Sequence, residues 1–160
     1  RVNLSGSEDQ EEWVKRSVDG LTRLAKFAKQ HYLNIIVENH GGFSSNAMLL
    51  AKVMKKTNLD NCGTLPDFGN FCIEGGFGTC TKWYDMYKGV AELMPYAKSV
   101  SAKTYNFDSD GNETKIDYNM MMKILKDNSY KGFIGVEYEG HGLSEKDGIL
   151  ATKKLIKRFI

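Results

Sequence analysis

Four residues able to carry charge or move protons come late in four short apolar runs. Glu38 follows Ile35-Ile36-Val37, and Asp67 follows Cys62-Gly63-Thr64-Leu65-Pro66. Lys103 lies within Ser99-Val100-Ser101-Ala102-Lys103-Thr104-Tyr105, and Glu137 ends Gly132-Phe133-Ile134-Gly135-Val136-Glu137. Three clustered carboxylates are hard oxygen ligands, suited to Mg²⁺, Mn²⁺ or a related divalent ion. A cation would also offset their mutual repulsion, which otherwise raises at least one pKa. Any one of these acids could equally cap a helix or pair with Lys or Arg. Three at the same end of successive strands read as a site. His40 is a candidate metal ligand, proton shuttle or substrate donor, and equally a packing group. Asn39 and Asn70 are candidate hydroxyl binders. Trp83, Tyr105 and Phe71 could stack on a sugar face, with Trp83 also readable as helix core. His141, in a Gly-His-Gly loop, lines the mouth or faces solvent. Glu139 shares the face of Glu137 if the strand continues that far.

The elements that would position these residues alternate. Arg1-Val2-Asn3-Leu4 reads as the tail of a strand. Ser5-Gly6-Ser7 and the acids of Glu8 to Glu12 suit a serine-capped helix start. Trp13, Val14, Val18, Leu21, Leu24, Ala25, Phe27 and Ala28 keep helical spacing as far as His31-Tyr32. Leu33 to Glu38 is a strand without alternation, hence buried on both faces. A loop with a serine or asparagine cap follows, then a helix over Ala47 to Lys56. A strand over Cys62 to Leu65 precedes the glycine-rich loop Phe71 to Lys82, which carries Gly75, Gly76 and Gly78. Long loops of this kind are usually functional or mobile. The spacing predicts further helices over Trp83 to Met94, Asp117 to Asn128, and Ser144 to Phe159. It predicts further strands over Ser99 to Tyr105 and Phe133 to Tyr138. Strict alternation implies a parallel sheet with right-handed crossovers. A closed (β/α)8 barrel usually needs about 250 residues. With 160 residues, the expectation is one domain piece, residues 1–160, supplying the last four β/α units of a parallel TIM barrel. A complete small open α/β domain is the alternative, and the strand tail at Arg1 argues against it.

Composition narrows the class. The formal net charge is +2, with basic residues dispersed, which gives no case for nucleic acid. No apolar run approaches the roughly 18–20 residues of a membrane span. The chain opens on Arg1, so the lack of a visible signal peptide leaves localisation open; a cytoplasmic setting is favoured over a periplasmic or secreted one. Cys62, Cys72 and Cys80 lack zinc-ribbon spacing. They are expected to be free thiols in a reducing compartment, with a Cys72–Cys80 disulfide as the alternative. Asp108, Asp110 and Asn112 resemble the start of a calcium loop, but the twelfth position holds Asn119 rather than glutamate.

Val37-Glu38-Asn39-His40, Leu65-Pro66-Asp67-Phe68-Gly69-Asn70 and Gly132 through Gly140 together resemble the xylose isomerase-like TIM-barrel superfamily. That group includes sugar isomerases, ketose 3-epimerases, dehydratases and nucleases. The resemblance implies that Glu38 and Glu137 bind a divalent metal (Mn, Mg, Co or Zn) and move protons, with Asp67 as a further ligand. Where the family places a histidine ligand, this sequence holds Lys103, whose ammonium has no lone pair for a metal. Three acids plus water or His40 would then hold the ion, or Lys103 would replace part of its charge. The implied reaction is metal-assisted proton abstraction next to the carbonyl of a sugar or sugar phosphate, by isomerisation or epimerisation. Glu38, Glu137 and Lys103 are the implied catalytic groups, and His40, Asn39, Asn70, Lys103 and His141 would contact the carbohydrate. A lyase or hydrolase acting on oxidised sugars, or a metal-free sugar-binding relative, would use the same pocket. Only three histidines and no basic stripe argue against the nuclease branch. Open strand edges would favour a homo-oligomer or association with the other half of the barrel.

Overall fold

A computed structural model describes residues 1–76 and 78–160. Its parallel wall comprises β1 (Ile35–Glu38), β2 (Cys62–Leu65), β5 (Ser99–Thr104) and β6 (Phe133–Tyr138). Between β2 and β5 lies a small antiparallel hairpin of β3 (Cys72–Glu74) and β4 (Lys82–Trp83). β1 pairs with β2, and β5 with β6, both in parallel. Single parallel bridges complete the wall: Val2 to Val37, Thr64 to Ala97, and Asp67 to Ser101. The strand tail at Val2, β1, β2, β5 and β6 therefore lie side by side in chain order, as a partial barrel wall.

The helices are α1 (Gln10–Lys29), α2 (Ala47–Thr57), α3 (Met86–Leu93), α4 (Tyr118–Asp127) and α5 (Glu145–Ile156). Each starts on a side-chain cap that accepts an orphan backbone N–H. Asn46 accepts from Leu49 N–H, Asp117 from Asn119 N–H, and Ser144 from Asp147 N–H. Two starts move from their expected places. Asp9 caps α1 in place of a serine, accepting from Glu12 N–H at 2.8 Å, while Ser7 accepts from Asp9 N–H. Asp85 caps α3, so Trp83 belongs to β4 and is 61% exposed rather than helix core.

The helical stripe of α1 buries Trp13, Val14, Leu21, Ala25 and Ala28, while Phe27 stays exposed. Leu50 and Val53 of α2, Val90 and Leu93 of α3, Met121 and Leu125 of α4, and Leu155 of α5 join them around Phe68 and Phe71. Phe71 was a candidate for stacking on sugar; it is fully buried in this core and unavailable. A Cβ at Gly89 would collide with its ring, so α3 passes Phe71 only because that position is glycine.

The loop expected over Phe71 to Lys82 is instead the hairpin. Cys72 and Cys80 are disulfide-bonded, with Cα atoms 5.8 Å apart, and Cys62 alone is a free thiol. The expectation of three free thiols is thereby corrected, and with it the thiol-based ground for a reducing compartment. The hairpin brings the two cysteines together, which their spacing alone did not require. Among the described residues, no helix is long and apolar enough to cross a membrane.

Candidate active site

The strands deliver four side chains to one place. Glu38 is the last residue of β1 and Asp67 lies just past β2; both are buried. Lys103 of β5 stands in register with Glu137 of β6. Strand alternation puts Ser101 on the face of Lys103, and Glu139 on that of Glu137. The register and the side chains agree: the Lys103 ammonium is 1% exposed and reaches Asn70 Oδ1 at 2.8 Å and Glu139 Oε2 at 3.1 Å. It lies 3.6 Å from Glu137 Oε1 and 3.7 Å from Asp67 Oδ1. One buried cation thus faces three carboxylates. Gly69 makes room for it: a Cβ there would stand 2.9 Å from Lys103 Cδ and 2.6 Å from the Tyr105 hydroxyl.

Glu38, Asp67 and Glu137 each present an oxygen, all within 4.8 Å of one another. Asp67 Oδ1 accepts from the backbone N–H groups of Gly69 and Asn70. Its Oδ2 and both oxygens of Glu38 are buried without a hydrogen-bond donor among the described residues. The Arg1 guanidinium lies 2.7 Å from Glu38 Oε2, outside hydrogen-bond geometry, and offers only its charge. Buried, unsatisfied carboxylate oxygens are costly without a cation or proton. The donor set therefore suits a divalent ion, with Lys103 offsetting charge on Asp67 and Glu137.

The acids differ electrostatically. Burial raises the pKa of Glu38, with the Glu137 charge adding to it and Arg1 opposing. Burial pushes Asp67 up to about 7 against the pull of Lys103. Burial also acts on Glu137, but the Ser101 hydroxyl, donating at 2.6 Å, and the Lys103 ammonium outweigh it and lower its pKa. Lys103 loses to burial and gains more from Asp67 and Glu137, so its charge is reinforced. Burial pushes the Tyr105 phenol up to about 12, keeping it a neutral hydrogen-bonding group.

Beside the acid cluster opens a cavity of about 750 Å³, whose lining does not include Glu38, Asp67, Lys103 or Glu137 themselves. Asn70 and Glu139, both partners of Lys103, line it and connect it to the acid cluster. His40 and His141 are exposed on its rim. Asn39 does not reach it. Its amide donates to the carbonyls of Asp67 and Asn70 and accepts from Asp67 N–H, so it is an internal brace and not a hydroxyl binder. Ser101 and Arg1 did not stand out in the sequence. Ser101 was legible as lying two residues before Lys103 on one strand face; Arg1 arrives only because Val2 pairs with Val37. The Asp108 carboxylate accepts from the N–H groups of Asp110 and Asn112 and from the Asn112 amide, closing its own turn.

The family model described as xylose isomerase-like TIM barrel matches residues 1–159. The C-glycoside deglycosidase alpha subunit of Arthrobacter globiformis is 35% identical over 75 residues, which is 43% of this chain and 21% of that protein. The solved structure of IOLI protein with a binding zinc atom superposes with a TM-score of 0.66 at 18% identity, covering 99% of this chain and 60% of that one. D-Psicose 3-epimerase with D-tagatose, from Clostridium cellulolyticum H10, gives a TM-score of 0.64 at 17% identity, covering 96% of this chain and 55% of its own. The chain thus spans little more than half the length of these solved structures, and the likeness to them is one of fold.

Proposed function

The chain belongs to the xylose isomerase-like TIM barrel family, and from that premise we propose that it is the C-terminal portion of a single barrel that isomerises or epimerises a carbohydrate. The proton-moving pair is Glu38 and Glu137. The observation that carries this reading is the electrostatic split within that pair. Burial raises the pKa of Glu38, while at Glu137 the Ser101 hydroxyl and the Lys103 ammonium outweigh burial and lower it. Two carboxyls with opposite tendencies, reaching one site from β1 and from β6, suit removal of a proton on one side and its return on the other.

Glu137 takes the carbon-bound proton next to the carbonyl. Lys103 places a fixed positive charge beside the oxygen that gains electron density. Glu38 gives a proton back, to the opposite face for epimerisation or to the neighbouring carbon for isomerisation. Asn70, His40 and His141 orient the sugar hydroxyls from the cavity wall and rim. Glu38 and Asp67 would hold a divalent ion through oxygens that lack donors, and Glu137 would offer a third carboxylate oxygen. When bound, that ion supplies Lewis-acid polarisation of the substrate's carbonyl and hydroxyl oxygens. The zinc atom named for the IOLI protein and the ketose epimerase among the relatives support this reading.

The deglycosidase relative favours a second outcome for the same base. If the carbon next to the deprotonated one carries a leaving group, the C=O re-forms and the enolate's C=C electrons become a new C=C to that carbon. Its bond to the leaving group breaks, and the departing group takes a proton from an acid of the site or from water, which makes the enzyme a lyase. Both outcomes begin with carbon deprotonation, so one experiment tests both. The intact protein is incubated in D2O with D-tagatose, D-psicose and 3-keto-glucosides, and loss of the proton next to the carbonyl is followed by NMR. Exchange in the wild type that falls at least a hundredfold in Glu38→Gln and in Glu137→Gln supports the reading. Sugar binding without exchange sinks it in favour of a non-catalytic sugar-binding protein.

A further inference from the structure

We propose that the cavity beside the acids holds an apolar subsite for a planar aryl group, so that the substrate is a glycoside with an aromatic aglycone rather than a free sugar. This rests on the carbohydrate reading above and names the substrate class. Size is the first observation. The cavity measures about 750 Å³, in the range of about 300–1,000 Å³ typical for drug-sized ligands and generous for a single hexose.

The second observation is the chemistry of one wall. The segment from Cys72 to Met86 lines the cavity with the Cys72–Cys80 disulfide, three glycines, Trp83 and Met86. Apart from the Trp83 indole N–H, no side chain in that set can bind a hydroxyl. A sugar ring laid there would find only the Trp83 indole N–H and backbone groups for its several hydroxyls, and hydroxyls left unpaired cost binding energy. An aryl ring needs none. The side chains that can bind hydroxyls, among them Asn70, Glu139, His40 and His141, belong to the rest of the lining, and Asn70 and Glu139 sit where the cavity meets the acid cluster.

The third observation is an aromatic surface already prepared. Trp83 is 61% exposed on a strand that pairs with Cys72, so its indole stands in the cavity wall and not in the core. Tyr105 lines the same cavity, and the Lys115 ammonium sits 4.7 Å from its ring centroid, holding that ring in place. Offset or edge contacts with such rings contribute about 0.5–1.5 kcal/mol beyond area burial. The sugar end would therefore meet Asn70, Glu139 and the acids, and the aglycone would lie against Trp83, Met86 and the disulfide.

The test is equilibrium binding to the intact protein by calorimetry, with phenyl and methyl β-glycosides of glucose, galactose and xylose as matched pairs. We expect the phenyl member of at least one pair to bind tenfold or more tightly than its methyl counterpart. Trp83→Ala should bring that ratio below threefold, and Trp83→Phe should restore it. In the wild type, the phenyl glycoside should also shield Trp83 fluorescence from acrylamide; Trp13 is buried and contributes little to such quenching. Ratios below threefold for every pair, absence of binding included, overturn the proposal. So does a ratio that survives Trp83→Ala, or cellobiose binding as tightly as phenyl glucoside, which would give the wall to a second sugar ring. Binding does not depend on proton exchange, so a failed exchange assay with an intact aryl preference rejects the isomerase reading alone. Exchange without aryl preference rejects the subsite alone.

Discussion

Taking away the Lys103 ammonium leaves Asp67, Glu137 and Glu139 crowded with no buried cation between them. Removing one partner of a buried ion pair costs about 3–5 kcal/mol. Lys103→Met is therefore expected to lower the unfolding free energy by about 3 kcal/mol at pH 8 in chelator-treated protein, measured by urea titration. An unchanged midpoint would mean that the acids already carry protons enough to do without it. Asp67 sets a pH dependence of a definite sign. Its folded pKa of about 7 lies above the ordinary 3.8, so the folded state binds the proton more tightly. That contribution to stability is complete below about pH 4 and is lost as pH rises through about 7. Wild type without metal should accordingly be less stable at pH 8 than at pH 5, and Asp67→Asn should flatten that difference; equal slopes in the two proteins would refute it. Metal occupancy should run the other way, since ligation needs the carboxylate. Elemental analysis should find about one divalent ion in wild type at pH 8 and almost none in Glu38→Gln. If wild type is empty and Lys103→His gains metal, Lys103 has taken the place of the ion.

The hairpin of β3 and β4 is inserted between the parallel strands β2 and β5. It is anchored at its base, where Tyr84 N–H donates to the Phe71 carbonyl and the two rings stack 6.4 Å apart. Its outer part is exposed and held by the Lys82–Glu74 ion pair and the Cys72–Cys80 disulfide. Exposed ion pairs contribute little, so the disulfide keeps this part in shape. The Cys72→Ser, Cys80→Ser double variant is expected to show at least tenfold faster proteolytic nicking between residues 74 and 82. Its global unfolding midpoint should change little, because the core cluster lies beneath the hairpin. Nicking at the wild-type rate would show that the base anchor alone suffices. Gly89→Ala acts on the same element from below, by pressing on the buried Phe71 ring. Overpacking of this kind costs about 1–3 kcal/mol, and thermal or urea unfolding would read it.

At the scale of the whole molecule, the wall ends on β6, which among the described residues pairs only with β5. Phe133 at its start is 86% exposed. An open, apolar strand edge seeks a partner. The 160-residue chain prepared alone is expected to self-associate through that edge; sedimentation showing a monodisperse monomer would contradict this. The alternation of helix and strand, and the strand ends bearing Glu38, Asp67, Lys103 and Glu137, were legible in the sequence, because hydrophobic period and chain order are local properties. Parallel pairing then makes strand ends converge whatever the side chains between them. Glu139 was legible as a neighbour on the face of Glu137, but β6 ends at Tyr138, and its approach to Lys103 rests on the Glu139 N–H still donating to the Thr104 carbonyl just past the strand. Only the tertiary structure turned Asn39 inward as a brace, sank Phe71 into the core, joined Cys72 to Cys80 and exposed Trp83 in the cavity wall. Each of these depends on which distant segment packs opposite. That is decided by competition for space and hydrogen-bond partners across the whole fold, and no local spacing records it.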